Sequence, residues 1–361
     1  MTQLNELINN IYPIDEKAVD KAWRRLDSLA KPPRSLGRLE EYAARLCGIT
    51  GRLNNTIERT RLIVLCADNG VTAEGVSSAP QSVTLMQTLN LARGVTGAAV
   101  IAAELGMELQ VVDVGVNTRE PLKGVLDRKI RLSTGNIYRE PAMRRSEAER
   151  AILTGIALSR RAAEDGCGAI GVGEMGIGNT TTSSAVLSAL CGVPVEQSVG
   201  KGGGLTPGAY EHKKRVIRAA LSRLKPVTDV LGVLAEVGGL DLCAMAGVFI
   251  GAAICRVPVV IDGFISAVAA VCAHALNPLS VQYMFASHRS FEIGYSAAIS
   301  RLGLEPMLDL GMRLGEGSGC PLAVMVLKAA CAVMNRMATF EQAEIDDGYL
   351  EEIRKNESFR V

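Results

Sequence analysis

Leu62-Ile63-Val64-Leu65-Cys66-Ala67-Asp68-Asn69-Gly70 is the stretch that decides the fold, because a short apolar run ends in a polar turn with a glycine. An uninterrupted apolar run of this length predicts a strand buried on both faces. The same form recurs at residues 109–113, 169–172, 258–261 and 281–285. Helical stretches lie between these runs. Short apolar strands that alternate with helices predict an α/β fold, with a mainly parallel sheet covered by helices on both faces.

The two ends of the chain differ from this alternating centre. Residues 1–58 have apolar residues at helical spacing on either side of Lys31-Pro32-Pro33, and Ser35 can cap the second helix. Residues 339–361 are polar and acidic. We therefore predict a helical element at 1–58, an α/β domain at 59–338 and a C-terminal helical segment at 339–361 that packs with the first element. The clearest helix of the centre should begin at Ser146, with Glu149 completing a capping box.

Composition excludes several classes of protein. The chain has 39 Lys and Arg against 38 Asp and Glu, a formal charge of +1 that argues against a nucleic-acid or membrane-surface binder. Nine scattered cysteines without a CxxC pair indicate buried thiols in a reducing compartment, so we expect a cytoplasmic protein. The apolar stretch at 240–276 is interrupted by Arg256, Pro258 and Asp262. It predicts helix–strand–helix and not a membrane span.

Leu314-Gly315-Glu316-Gly317-Ser318-Gly319 places one carboxylate between glycines in an apolar neighbourhood. Glycine allows strained backbone and a close approach to a ligand. A carboxylate held away from water in such a loop is typical of a general base. The alternative is a solvated acid at the start of a helix, and the spacing alone leaves both open.

Two glycine-rich loops could hold an anion. The first, Gly173-Glu174-Met175-Gly176-Ile177-Gly178-Asn179-Thr180, follows a predicted strand and opens a helix, whose N-terminus favours an anion. It lacks the Walker lysine and the GxGxxG spacing, so a phosphate monoester or a merely tight turn remains. The second loop, 200–204, is followed by Lys213 at the start of a helix. A lysine near a flexible loop is one way to hold phosphate without a metal.

Other polar side chains follow the predicted strands. Asp68 and Asp262 could hydrogen-bond ribose hydroxyls, or could cap the turns that follow them. The three histidines, His212, His274 and His288, show no metal-ligand spacing, so no catalytic metal is expected.

Several longer motifs stand in one order along the chain: Lys31-Pro32-Pro33-x-Ser35-Leu36-Gly37-Arg38, Ala67-Asp68-x-Gly70-Val71, Arg93-Gly94-x-Thr96-Gly97, Gly173-Glu174-Met175-Gly176 with Asn179-Thr180-Thr181, Val237-Gly238-Gly239 with Asp241, Asp262-Gly263-Phe264, Ser287-His288 and Met312-Arg313-Leu314-Gly315-Glu316-Gly317-Ser318-Gly319. Through them the chain resembles the nicotinate-nucleotide–dimethylbenzimidazole phosphoribosyltransferase family over nearly its whole length. The resemblance implies a Rossmann-like sheet with a small helical domain from both chain ends. It also implies a dimer, formed with itself or with a related subunit.

The resemblance further implies an activity and a set of residues. The family moves the phosphoribosyl group of nicotinate mononucleotide to a cobamide lower ligand, without a cofactor, and Glu316 matches its general base. The substrate-binding positions that match are Glu174, Gly176, Asn179, Thr180, Gly202, Gly203, Lys213, Asp262, Ser290, Leu314 and Gly315. The lower-ligand pocket maps to Ala79, Pro80, Gln87 and Met175.

Two positions depart from the family near that pocket. Members commonly have Asp-His-Gly where this chain has Asp68-Asn69-Gly70, and many have serine where this chain has Ala79. We expect weaker polar recognition of a benzimidazole, so that another benzimidazole, a purine or a phenol becomes a candidate acceptor. Two alternatives remain open: the catalytic subunit of a heteromer, and a non-catalytic nucleotide-binding partner on the same fold.

Overall fold

A six-stranded sheet forms the centre of the computed structural model, which describes residues 2–200, 204–224 and 229–355. Every strand pairs with its neighbours in the parallel sense, in the order β3-β2-β1-β4-β5-β6. The strands are β1 Thr60–Ala67, β2 Glu108–Gly115, β3 Leu126–Asp127, β4 Ala169–Met175, β5 Val259–Ile261 and β6 Met284–Ala286. The predicted α/β class is confirmed. This order reverses between β1 and β4, which is where open parallel sheets form a ligand crevice at the carboxyl ends of their strands.

The described residues form fifteen α-helices. They are α1 Gln3–Ile8, α2 Glu16–Asp27, α3 Arg38–Thr50, α4 Ser82–Ala92, α5 Gly97–Glu104, α6 Arg145–Glu164, α7 Asn179–Cys191, α8 Val195–Ser198, α9 Pro207–Arg223, α10 Val230–Val237, α11 Leu240–Ile254, α12 Phe264–Leu276, α13 Ile293–Leu302, α14 Cys320–Arg336 and α15 Glu351–Lys355. Short 3₁₀ helices occur at Gly70–Glu74, Pro278–Tyr283 and Gly348–Leu350. None of the described helices is long and apolar enough to cross a membrane.

The apolar runs predicted as strands lie in the core. All eight residues of β1 are buried, because β1 is central in the sheet and helices cover both of its faces. The stretch 240–276 folds as helix–strand–helix, as expected. The run at 281–285 was partly misassigned: Asn277 accepts a hydrogen bond from Leu279 N (2.9 Å) and starts a 3₁₀ helix, so β6 begins only at Met284.

Side-chain caps move two helix starts away from their predicted positions. Glu147, not Glu149, caps α6 by accepting a hydrogen bond from Arg144 N (2.8 Å), so this helix begins at Arg145. Glu40 accepts one from Leu36 N (2.9 Å), and α3 begins after Gly37 and not at Ser35. In both cases a glutamate inside the first turn satisfies a backbone N–H that precedes the helix.

The chain divides into two compact units. The first consists of residues 1–12 and 59–323 and contains the whole sheet. The second consists of residues 13–58 and 324–361, and its described elements are helical. These bounds place the first twelve residues with the sheet and most of α14 with the helical unit, whereas the boundaries expected from the sequence were 58 and 338.

Candidate active site

Glu316 lies in a turn of three successive residues with left-handed backbone. Its φ is 62°, and those of Gly315 and Gly317 are 85° and 86°. The glycines adopt this conformation freely, but for glutamate it is strained by roughly 1–3 kcal/mol. The turn also lies against β4, since a Cβ at Gly173 would come within 2.8 Å of Gly317 N. The sequence therefore builds a tight turn that surrounding groups must hold.

Two buried carboxylates hold the backbone of this turn. Asp262, directly after β5, accepts hydrogen bonds from Gly317 N (3.1 Å) and Gly319 N (2.8 Å). Glu174, in β4, accepts one from Glu316 N (3.4 Å). Adjacent parallel strands end at the same edge of the sheet, which is why these two acids reach one turn.

The Glu316 carboxylate itself is fixed by two donors. Its Oε2 accepts a hydrogen bond from Ala98 N (3.3 Å) in the first turn of α5, a helix capped by Thr96. Its Oε1 accepts one from the Gln87 amide (3.5 Å). The side chain is 5% exposed and borders a cavity of about 290 Å³. A carboxylate so placed can take a proton from a molecule bound in that cavity.

Glu174, Asp241 and Asp262 form a buried acidic cluster beside the turn. Burial, together with the nearby Asp241 carboxylate, raises the pKa of Glu174 to about 8. Burial likewise raises the pKa of Asp262 to about 7, although the N–H groups of the turn oppose this shift. The Asn179 amide donates to both Glu174 and Asp241 (3.1 Å to the latter) and so lies between them. Because these carboxyl groups are buried, they keep their protons up to a higher pH than in water.

Lys213 lies behind the N-terminus of α7. Its ammonium group is buried and donates to Thr180 Oγ1 (2.8 Å) and to the carbonyl oxygen of Gly200 (3.4 Å). Burial lowers the pKa of Lys213 to about 8, and the Glu292 carboxylate raises it in part. A lysine with two neutral partners, next to a helix N-terminus, can stabilise a bound anion.

The cavity lies at the carboxyl ends of β4, β5 and β6, beside the point where the strand order reverses. Its lining comes from the turns after these strands and from α4. The lining residues are Ser77, Ser78, Ala79, Val83, Gln87, residues 174–180, 262–266, His288, Ser290, Glu292 and residues 313–316.

Comparison with known proteins identifies the family of this chain. A family model described as phosphoribosyltransferase matches residues 11–345. The chain is 52% identical over 359 residues to the nicotinate-nucleotide–dimethylbenzimidazole phosphoribosyltransferase of Clostridium perfringens (strain ATCC 13124), with 99% of each chain covered. The chain belongs to this phosphoribosyltransferase family.

Further relatives agree with this assignment. The enzyme of the same name from Clostridium tetani is 43% identical, with 98% of this chain and 99% of that one covered. The crystal structure of CobT from Thermus thermophilus superposes with a TM-score of 0.89 at 41% identity, covering 92% of this chain and all of that one. The fold, like the sequence, is that of the phosphoribosyltransferase family.

Most residues predicted for the site border the one cavity. They are Ala79, Gln87, Glu174, Met175, Gly176, Asn179, Thr180, Asp262, Ser290, Leu314, Gly315 and Glu316. Lys213 reaches it through Thr180. Pro80 borders a shallower neighbouring depression with Ala79 and Gln81. Gly202 and Gly203 lie outside the residues that the structure describes.

One of the two departures noted near the acceptor side does not line the cavity. Asn69 is fully buried and does not border the cavity; its side chain lies beneath Gly176, next to Asp241. There it helps to lower the pKa of Asp241, which burial raises. The departure at position 69 therefore lies beside the acidic cluster, and Ala79 is the departure that borders the cavity.

Three charged or titratable side chains that border the cavity were given no site role from the sequence: His288, Glu292 and Arg313. His288 is buried, and burial lowers its pKa, so it favours the neutral form. Glu292 precedes α13 and faces Lys213. His288 and Glu292 follow the last strand, so their position beyond its carboxyl end is a signal that the sequence offers. Arg313 borders the glycine turn.

Proposed function

We propose that the chain transfers the 5-phosphoribosyl group of nicotinate mononucleotide to an aromatic lower ligand of a cobamide, releasing nicotinate and an α-riboside 5′-phosphate. The observation that carries this proposal is the carboxylate of Glu316, held by the N-terminus of α5 and aimed into a cavity between strand ends. The names of the relatives support the same reaction, which belongs to cobalamin biosynthesis.

The chemistry needs one base and no acid at the leaving group. Nicotinate is bound to ribose as a pyridinium, so it departs with the electron pair of the broken C–N bond and needs no proton. The acceptor attacks C1′ through one ring nitrogen from the opposite face, which inverts the β-linkage to an α-linkage. The other ring N–H becomes acidic, and Glu316 removes its proton. A positioned base contributes about 10²–10⁴-fold to the rate.

The donor side of the cavity suits a phosphate monoester. Lys213, Thr180 and the backbone around Gly176 are our candidates for the phosphate, together with the loop at Gly202 and Gly203. Among the described residues of this set, Lys213 carries the positive charge. Ser290 and Glu174 border the space between that end and Glu316, where the ribose and nicotinate would lie.

The acceptor side is less polar than the donor side. Ala79, Met175 and Val83 border it, and Gln87 is its amide. This composition supports an acceptor that needs little hydrogen bonding, such as a phenol or a substituted benzimidazole, in addition to dimethylbenzimidazole. With a phenol, Glu316 would deprotonate the attacking hydroxyl directly. Competition among phenol, p-cresol, adenine and dimethylbenzimidazole, with the products identified, tests this choice; exclusive use of dimethylbenzimidazole would refute the altered pocket.

Glu316→Gln is the decisive variant. It keeps the size and hydrogen-bonding capacity of the side chain but cannot accept the proton, so turnover should fall about 10²–10⁴-fold. Binding of nicotinate mononucleotide, measured by calorimetry, should persist. Glu120→Gln, at an exposed glutamate outside the cavity, is the matched control. Near-normal turnover of Glu316→Gln would remove the assignment of Glu316 as the base.

We also propose a cytoplasmic enzyme. All nine cysteines are free thiols, seven of them buried, which supports a reducing compartment.

A further inference from the structure

We propose that Asp262 is a positioning residue that clamps the strained Glu316 turn, and that it is not a ligand of the ribose. This inference rests on the proposed function, because it assumes that Glu316 is the base. It replaces the role that the family resemblance suggests for Asp262. The two roles differ in what the carboxylate oxygens contact.

Each oxygen of Asp262 already accepts one hydrogen bond from the turn. Oδ2 accepts a hydrogen bond from Gly317 N at 3.1 Å, and Oδ1 accepts one from Gly319 N at 2.8 Å. These N–H groups belong to the residues one and three positions after Glu316. A carboxylate that accepts two backbone N–H groups from one turn fixes the direction of that turn.

Asp262 is itself held rigidly. Its N–H donates to Ser266 Oγ (3.1 Å) in the first turn of α12, and its carbonyl oxygen accepts a hydrogen bond from Ser287 Oγ (3.3 Å) after β6. The side chain is buried at the end of β5. The clamp is therefore anchored to two strand ends and a helix, and it transmits the geometry of the sheet to the turn.

The turn requires such an anchor because its central residue is not glycine. A glutamate with a φ of 62° persists only where its surroundings over-determine the conformation. Glu174 holds only the N–H of Glu316, at the longer distance of 3.4 Å. If Asp262 were removed, Glu316 would relax toward ordinary backbone angles and its carboxylate would leave the position set by Ala98 N.

Asp262→Asn tests the clamp with little change in shape. An asparagine has one acceptor oxygen, so its NH₂ group must face the N–H of Gly317 or Gly319 and one bond is lost. We expect kcat to fall about 10²-fold, as for a catalytic group misplaced by about 1 Å. The Kd for nicotinate mononucleotide, measured by calorimetry, should change little. A ribose ligand would behave differently, with the loss appearing in Kd.

A double variant shows through which residue Asp262 acts. In the Glu316→Gln background there is no base left to misplace, so Asp262→Asn should cost almost nothing more. The two effects are then strongly non-additive, as expected for residues that act as a unit. Multiplied losses in the double variant, or a tenfold weaker Kd with unchanged kcat, would overturn the proposal.

Amide resonances report the clamp without any assay of turnover. In ¹⁵N-glycine-labelled protein, the Gly317 and Gly319 N–H signals should titrate together near pH 7, because burial raises the pKa of Asp262 to about 7. Glu174, Glu316 and His288 also face Asp262, so the variants below assign the titration. Asp262→Asn should abolish this titration. Asp241→Asn, at a buried acid of the same cluster without a bond to the turn, should leave it. Gly317 and Gly319 resonances that are the same in the wild type and in Asp262→Asn at every pH would refute the clamp.

The two proposals fail in distinguishable ways. If the wild-type chain released no nicotinate with any acceptor, the proposed function would fail while the glycine resonances still reported the clamp. If turnover occurred but Asp262→Asn left the two glycine resonances unchanged, the function would stand and the clamp would fall.

Discussion

Lys213 is a buried lysine at the donor end of the cavity, and its burial disfavours the charged form. Its side chain is 1% exposed, and the partners at its ammonium group are a hydroxyl and a carbonyl oxygen. Neither partner carries a charge, and the nearby Glu292 carboxylate offsets the lost hydration only in part, so burial lowers the pKa of Lys213 to about 8. A bound phosphate would supply the missing negative charge.

Binding of nicotinate mononucleotide should therefore weaken at high pH. Above pH 8 the empty enzyme holds Lys213 neutral, while the complex needs it charged, so binding takes up a proton. Since proton uptake opposes binding as the pH rises, the affinity should fall by up to about tenfold per pH unit above 8. Calorimetry at pH 7, 8 and 9, in buffers of different ionisation enthalpy, measures both the affinity and the proton.

Lys213→Arg is the control for this pH dependence. Its guanidinium group stays charged across the range, so its affinity should be independent of pH between 7 and 9. A wild-type affinity that is equally flat would show that Lys213 does not bind the phosphate or that it stays protonated.

At the residue scale, the sequence indicates which residues belong to the site but not which atoms each side chain contacts. The glycines around Glu316 predict a special turn, and that turn exists. The sequence does not show that each Asp262 oxygen accepts a hydrogen bond from an N–H group of that turn. Nor does it show that Asn69 lies beneath Gly176 and does not border the cavity. Those facts depend on side-chain directions that only the packed strand ends determine.

At the scale of elements, the crossing of α6 and α11 depends on glycine. A Cβ at Gly155 in α6 would collide with the carbonyl oxygen of Ala244 and would lie 2.6 Å from Val248 N, and Gly247 in α11 faces the backbone of Ile152 in the same way. These obstacles are backbone atoms, which cannot rotate away. The two helices can approach this closely only where a side chain is absent.

Gly155→Ala should therefore destabilise the fold. Overpacking of a well-packed contact typically costs about 1–3 kcal/mol, which exceeds the roughly 1 kcal/mol that alanine gains over glycine in a helix. Gly208→Ala in α9 is the matched control, because a Cβ there meets no atom within 4 Å. That variant should be slightly more stable than the wild type. Urea unfolding of both measures the difference; equal midpoints would contradict the tight crossing.

Element assignment from sequence succeeded where one signal dominated. The buried runs at β1, β2 and β4 were predicted because apolar residues on both faces leave little choice. The predicted start of β6 is wrong, because the Asn277 side chain caps a 3₁₀ helix there. The predicted starts of α3 and α6 are wrong because other residues cap these helices. The two-residue β3 was not predicted, because it contains no apolar run.

At the scale of the whole molecule, the border of the cavity exposes apolar side chains. Phe291 is 73% exposed, Leu310 59% and Leu314 57%. The segments that carry them lie together, since Phe291 N donates to the carbonyl oxygen of Met312 (3.2 Å). Exposed apolar surface of this kind is typical of a protein interface. It supports the expected dimer, with a second copy of this chain or with a related subunit.

Light scattering on the purified chain measures this assembly. We expect a dimer, and Leu310→Arg should shift it toward monomer because a charge is costly inside an apolar interface. Leu132→Arg, at an exposed leucine outside this border, should leave the assembly unchanged. A monomeric wild type that gained turnover only with a second protein would favour the heteromer. A monomeric wild type with full turnover would contradict the expected dimer, because the site would then be complete within one chain.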